Sequence, residues 1–188
     1  MARKLDSEVR KEKGHTTPEE WMLFTMTKSP LTSFPKRIYT LEEVAQARRA
    51  IAAGYQHSLT VNGDSEFREL VSKIFQFIDL AGYTVLLRSY VREIRQIQGV
   101  SQLRETDASI WLNRTVANDA IEAARFVVQK TLQMQAYIEG RPWYILGELP
   151  AVRGSVEFLK KLREHLVNPE TRARCDKAID EWTADEVT

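Results

Sequence analysis

No proline occurs between residues 36 and 141; all six prolines of the 188-residue chain lie outside that stretch. Proline removes a backbone donor and clashes with the preceding turn, so a proline-free run of this length leaves room for long helices. Within it, apolar residues recur at i, i+3, i+4 and i+7, with few β-branched runs, and that spacing predicts helix throughout. The expected fold class is all-α: a helical bundle of about five to seven helices built on two long central helices.

The first long helix is expected over 65–98. Phe67, Leu70, Val71, Ile74, Phe77 and Ile78 form one stripe, which Tyr83, Leu86, Leu87, Tyr90, Val91, Ile94 and Ile97 continue beyond Gly82. A glycine inside a helix costs about 1 kcal/mol relative to alanine. Gly82 therefore reads as a kink or a close-packing point, and Gly99 as the stop. The second long helix is expected from a cap at Asp107 to about Ile138. Its two stripes are Ile110, Ala117, Ile121, Ala124 and Val128, and Val116, Ala120, Ala123, Val127 and Met134. So wide an apolar arc belongs to a helix enclosed by several neighbours, at the centre of the bundle.

Local signals mark further helix starts. Thr17-Pro18-Glu19-Glu20 and Thr40-Leu41-Glu42-Glu43 both carry the capping-box pattern. Asp64 or Ser65, Ser155 and Asn168 are expected to open others. The organisation that follows is a flexible charged arm over 1–14 and a single helical-bundle domain over 15–188.

Composition narrows the function classes. The chain is 43% hydrophobic and 28% charged, which is ordinary for a globular protein. No stretch approaches the ~20 apolar residues of a spanning helix, so no membrane association is expected. A net charge of +1 gives no global pull toward nucleic acid. The first six residues run into charge rather than an apolar signal core, and the single cysteine, Cys175, forms no internal disulfide. Both features lead to a cytoplasmic expectation.

Motifs for chemistry are sparse. His15, His57 and His165 lie far apart. Glu12 and His15 have the spacing of one di-iron ligand pair, whereas that centre needs two pairs and two more glutamates, so neither metal nor other cofactor is expected. Gly-x-Ser-x-Gly and phosphate-cradling glycine loops are missing from the sequence. Cys175 shares a helical stripe with Ala178, Ile179 and Trp182, and reads as a packed small hydrophobe despite Arg172, Arg174 and Lys177 nearby. No catalytic residue is assigned, and the chain is not expected to be an enzyme.

Arg88, Arg92 and Arg95 fall at i, i+4 and i+7. On a helix they form one row, a candidate contact for nucleic acid or an acidic partner. At helical spacing no aromatic interleaves with them, since Tyr90 points inward, so stacking of single strands is not expected. Trp21, Phe24, Trp143 and Tyr144 are candidate interface residues. Gln129 and Gln133, one turn apart, are unusual for a buried segment.

Three functions fit these expectations. The preferred one is a non-catalytic protein–protein interaction or assembly subunit, because its small-residue stripes and wide apolar arcs are expected to exceed what one monomer covers. It is expected to self-associate as a homo-oligomer, or to dock into a larger complex, through the first short helix with Trp21 and Phe24 or through the 65–98 helix. The second is a nucleic-acid-binding helical subunit that uses the arginine row. The third is a small-ligand-binding bundle or enzyme with a pocket between helices, lined by Trp111, Tyr137, Trp143 or Tyr144.

Overall fold

The computed structural model describes residues 33–141 and 148–184. Helix α1, Leu41–Ala52, starts where its cap dictates: the Thr40 hydroxyl accepts from the Glu43 N–H at 3.2 Å, and the Glu43 carboxylate accepts from the Thr40 N–H at 2.8 Å. After strand β1, Thr60–Asn62, Asp64 caps helix α2, Ser65–Leu80, by accepting from the Phe67 N–H at 2.8 Å. To this point the local signals hold.

Strand β1 already departs from the all-α expectation, and the continuous 65–98 helix fails at Gly82. Its φ of +77° is left-handed, a conformation glycine takes without strain, and α2 stops at Leu80. Helix α3, Thr84–Tyr90, then lies 117° away from α2. Gly82 is thus a break rather than a kink. Val91 is extended, and Glu93–Ile97 forms strand β2. The second long helix is also overturned. The expected link before it holds strand β3, Gln102–Arg104, and its own range holds the end of a 3-10 turn at Glu105–Asp107, strand β4, Ser109–Asn113, a short α4, Arg114–Ala117, and only then α5, Ala120–Glu139. Asp107 lies in the 3-10 turn; the cap of α5 is Asp119, which accepts from Ile121 and Glu122 N–H. Gly99 lies in the bend after β2, not at a helix end. Helix α6, Glu148–His165, contains Ser155 well inside it, and α7, Pro169–Ala184, begins at the expected Asn168 cap.

The class is therefore α/β: seven α-helices among the described residues around a four-stranded mixed sheet in the order β1-β2-β4-β3. Strands β1, β2 and β4 run parallel, and β3 is antiparallel to β4. The sequence misleads for a physical reason. Val91, Ile94 and Ile97 are three residues apart, which imitates a helical stripe, and the strands are too short for alternation to dominate. Absence of proline suits inner strands as well as helices, because a missing N–H breaks a ladder too.

Alternation across the sheet sends Val61, Ile94, Ile110, Leu112 and Leu103 to one side, into the core shared with α2 and α5. Helix α5 packs against α1, α2, α3 and α6, so a wide arc including Ile121, Ala124, Val127, Val128, Met134 and Ile138 is buried within the same chain. Fully burying one such large side chain contributes about 1.5–3 kcal/mol. Helix α7 forms the outer layer against α6. At the end of α5 the Arg48 guanidinium donates to the Ile138 carbonyl through Nε at 3.1 Å and Nη2 at 2.8 Å, satisfying a carbonyl left over by the helix. No single described helix is long and apolar enough to cross a membrane.

Two polar groups are embedded in this framework. Arg125 of α5, 4% exposed, pairs through Nε with Glu122 at 2.9 Å, donates to Gln129 at 2.9 Å, and stacks 3.6 Å from the centre of the Trp182 ring of α7. His57, 4% exposed, sets its ring edge-on to Phe34 and Tyr55, and its Nε2 has no hydrogen-bond partner.

Candidate functional site: the open face of the sheet

The strand period that buries Ile94 and Ile110 turns their neighbours the other way. Asn62 of β1, Arg95 of β2, Trp111 of β4 and Gln102 of β3 are in register as a row across all four strands, on the side facing away from α2 and α5. Arg104, two residues along β3 from Gln102, lies on the same side, with its guanidinium carbon 4.8 Å from the centre of the Trp111 ring. The Arg104 guanidinium thus lies against the ring, with Arg95 its neighbour by register on the other side.

Glu93 joins the row from β2. Arg95 donates to it through Nε at 2.9 Å and Nη2 at 3.2 Å, and the Asn62 amide donates as well. Partial burial pushes the Glu93 carboxyl up, but the bonds from Arg95 and Asn62, with the charges of Arg95 and Arg92, hold it below its ordinary value. Its charge is therefore engaged by Arg95, leaving the Arg104 cation in excess on the aromatic ring.

A second cation–ring pair lies next to the sheet. The Ile38 N–H donates to the Thr106 carbonyl at 2.9 Å, which brings the 37–39 segment beside the β3–β4 connection. There Arg37 sits 5.9 Å over the Tyr39 ring, and Tyr39 is 63% exposed.

The arginine row expected on a helix does not exist, because the backbone passes from helix to strand between Tyr90 and Glu93. Arg88 stays on α3 and lines a groove of about 290 Å³ with Leu59, Phe75, Ile78 and Leu87. Arg92 is internal, donating to the Pro35 and Lys36 carbonyls at 2.6 Å each and lying 5.5 Å over Phe34. Arg95 alone of the three reaches the open face. Trp111 and Tyr137 do not share an inter-helix pocket: Trp111 is on the sheet, and Tyr137 of α5 donates its hydroxyl to the Ile38 carbonyl at 3.0 Å. Trp21, Phe24, Trp143, Tyr144 and the Glu12–His15 pair lie outside the described residues. Gln129 accepts from Arg125, and the buried Gln133 accepts from Lys130. Sequence reasoning missed the Arg95–Trp111 pairing, although Ser109-Ile110-Trp111-Leu112-Asn113 alternates cleanly and carries the strand signal.

Cys175 is buried, with its thiol 3.3 Å from the Leu159 carbonyl; burial and the Asp176 charge push its pKa up to about 11. In the folded protein at pH 8, an aromatic disulfide reagent is expected to leave this thiol unmodified over the minutes in which it titrates fully in denaturant. Native-state reaction at the rate of free cysteine would contradict the packed position. Among the described residues no three His, Cys, Asp or Glu side chains gather as ligands for a metal ion. No protein-family model, no curated protein and no solved structure matches this chain, so the reading of the site rests on its own geometry.

Proposed function

We propose that the protein is a non-catalytic binding module that seats a macromolecular partner on the open face of its sheet. The supporting observation is one of burial: Val61, Ile94, Leu103, Ile110 and Leu112 turn toward the core with α2 and α5, whereas on the opposite side Asn62, Arg95, Gln102 and Arg104 are exposed, Trp111 is half-buried and Ser109 is buried. Crossover connections ordinarily cover both faces of parallel strands, so a face that the described residues leave this exposed is a surface for a partner. The side chains on it suit binding more than turnover. Glu93 is committed to Arg95 and Asn62, and Arg104 to Trp111, which leaves pre-positioned contacts and no free acid–base pair among them. The wide apolar arc that pointed to self-association belongs to α5, which its own chain encloses. The single buried thiol suits a reducing compartment such as the cytoplasm.

A photo-cross-linking side chain placed at Gln102, exposed on the open face, is expected to give a discrete adduct in cells. The same group at Lys160, exposed on α6, should give none. The Gln102 adduct should disappear with Trp111→Ala. Equal labelling from both positions, or labelling indifferent to Trp111, would refute the reading.

A further inference from the structure

We infer that the partner of the open face is a single-stranded nucleic acid, with a base stacked on Trp111 and flanking phosphates held by Arg104 and Arg37; this rests on the binding-module reading above. The strands themselves set an aromatic ring against a cation, Trp111 with Arg104, a combination that a helical reading of the arginines excluded. Base–aromatic stacking is tolerant of sequence, because every base offers a π-face. Guanidinium groups beside the ring contact phosphate in flat, bidentate geometry.

The charge balance decides between single strand and duplex. Glu93 and Asp107 both act on Arg95 and offset it and one more cation, so of Arg37, Arg95 and Arg104 the surface keeps a surplus of about one charge. A surface with so small a surplus cannot hold a duplex by phosphate contacts alone, since that mode needs many of them. Stacking must then supply the affinity, and duplex bases are not available for stacking. The Arg37–Tyr39 pair, held beside β3 by the Ile38–Thr106 bond, repeats the ring-and-guanidinium unit and extends the track beyond the sheet. A protein partner fits less well. The middle of a protein interface is apolar and depleted of charge, whereas here the middle carries Arg95, Gln102 and Arg104 around one ring.

The test is fluorescence anisotropy of the full chain with labelled oligouridine, oligodeoxythymidine and a duplex, across a salt series. Single strands should bind with a log–log salt slope of about −1.5 to −2, as two or three phosphate contacts give. Trp111→Ala should weaken binding about 5- to 150-fold with the slope unchanged, and Trp111→Phe should restore part of it. Arg104→Gln should shorten the slope by about 0.7. Circular dichroism of each variant controls for folding, and Arg104→Gln tests the site without touching the ring. Failure of every single strand to bind at low salt would overturn the inference, as would equal binding of the duplex or indifference to both substitutions. If oligonucleotides fail while the Gln102 cross-linker still gives a Trp111-dependent adduct, the nucleic-acid inference falls and the open-face reading survives. If both fail, both fall.

Discussion

Arg125→Ala is expected to destabilise the protein by about 3–5 kcal/mol, which for a chain of this size lowers Tm by roughly 6–20 °C. Arg125 stands where α5, α6 and α7 meet. It bonds Glu122 and Gln129, its Nη1 lies 3.5 Å from the Ser155 hydroxyl, and its guanidinium lies flat against Trp182. Burial lowers its affinity for the proton, but the Glu122 carboxylate opposes that effect. The damage comes less from the lost attraction than from what stays behind. Glu122 Oε1 is already buried without a partner, and its Oε2 would keep only the Trp182 indole N–H at 3.3 Å. The Glu122 side chain, 32% exposed, would then keep one buried oxygen uncompensated between helices, which places the loss toward the lower end of the range for a broken buried pair.

Urea unfolding followed by circular dichroism checks this: the midpoint should fall with the slope unchanged. The double variant Arg125→Met/Glu122→Gln should recover most of the loss, since both charges leave together. Arg125→Lys should recover little, because an ammonium cannot stack on Trp182 and reach Glu122 and Gln129 at once. A loss below about 1 kcal/mol for Arg125→Ala would show that the cluster does not hold α7 in place.

Acidification from pH 7 to pH 4 is expected to remove up to about 3 kcal/mol through His57 alone. Burial, and then the nearby Arg92 charge, lower the pKa of this imidazole from 6.5 to about 4. The ring packs against Phe34 and Tyr55, and its backbone N–H donates to the Arg88 carbonyl at 2.8 Å. The direction follows from linkage. The folded state keeps His57 neutral where the unfolded chain already binds a proton, so its contribution is complete above about pH 6.5 and declines as pH falls toward 4. Carboxylates act in a lower window. Asp64, held down by the Phe67 N–H and by Gln96, stabilises the fold above its unfolded pKa and loses that effect only below it.

His57→Phe should flatten the pH dependence between 6.5 and 4, since the unpartnered Nε2 leaves no hydrogen bond to lose. Amide exchange should show where the fold loosens. The 33–38 segment, clasped by Arg92 at Pro35 and Lys36 and packed on His57 through Phe34, should open first. An unchanged slope in the phenylalanine variant would assign the acid sensitivity to other groups.

Features written within three or four residues were legible in the sequence. The caps at Thr40, Asp64 and Asn168 are side chains bonding the N–H three positions on, and no distant partner is needed to form them. Gly140 likewise ends its helix with positive φ, two residues beyond the expected end near Ile138. The sheet was hidden because its pairings are remote: Thr60 meets Glu93, and Glu93 meets Ser109. Three to five residues per strand cannot outvote flanking helical stripes. The site failed for the same reason. Trp111 and Arg95 become neighbours only through the β2–β4 register, and Arg88, Arg92 and Arg95 separate only because a helix ends between them. The place of Arg125 was not legible either, since nothing local announces that Trp182 will cover it.

The long-range pairing of β1 also sets the order in which the binding surface can appear. Thr60–Asn62 has no neighbour until Glu93–Arg95 has been synthesised and brought back beside it, and β2 in turn waits for β4. Helices can form from local contacts within microseconds, whereas closing such loops slows the ladder. A growing chain on the ribosome therefore displays capped helices long before it owns a platform. The paired sheet face belongs to the finished molecule, and chains interrupted before Trp111 lack it.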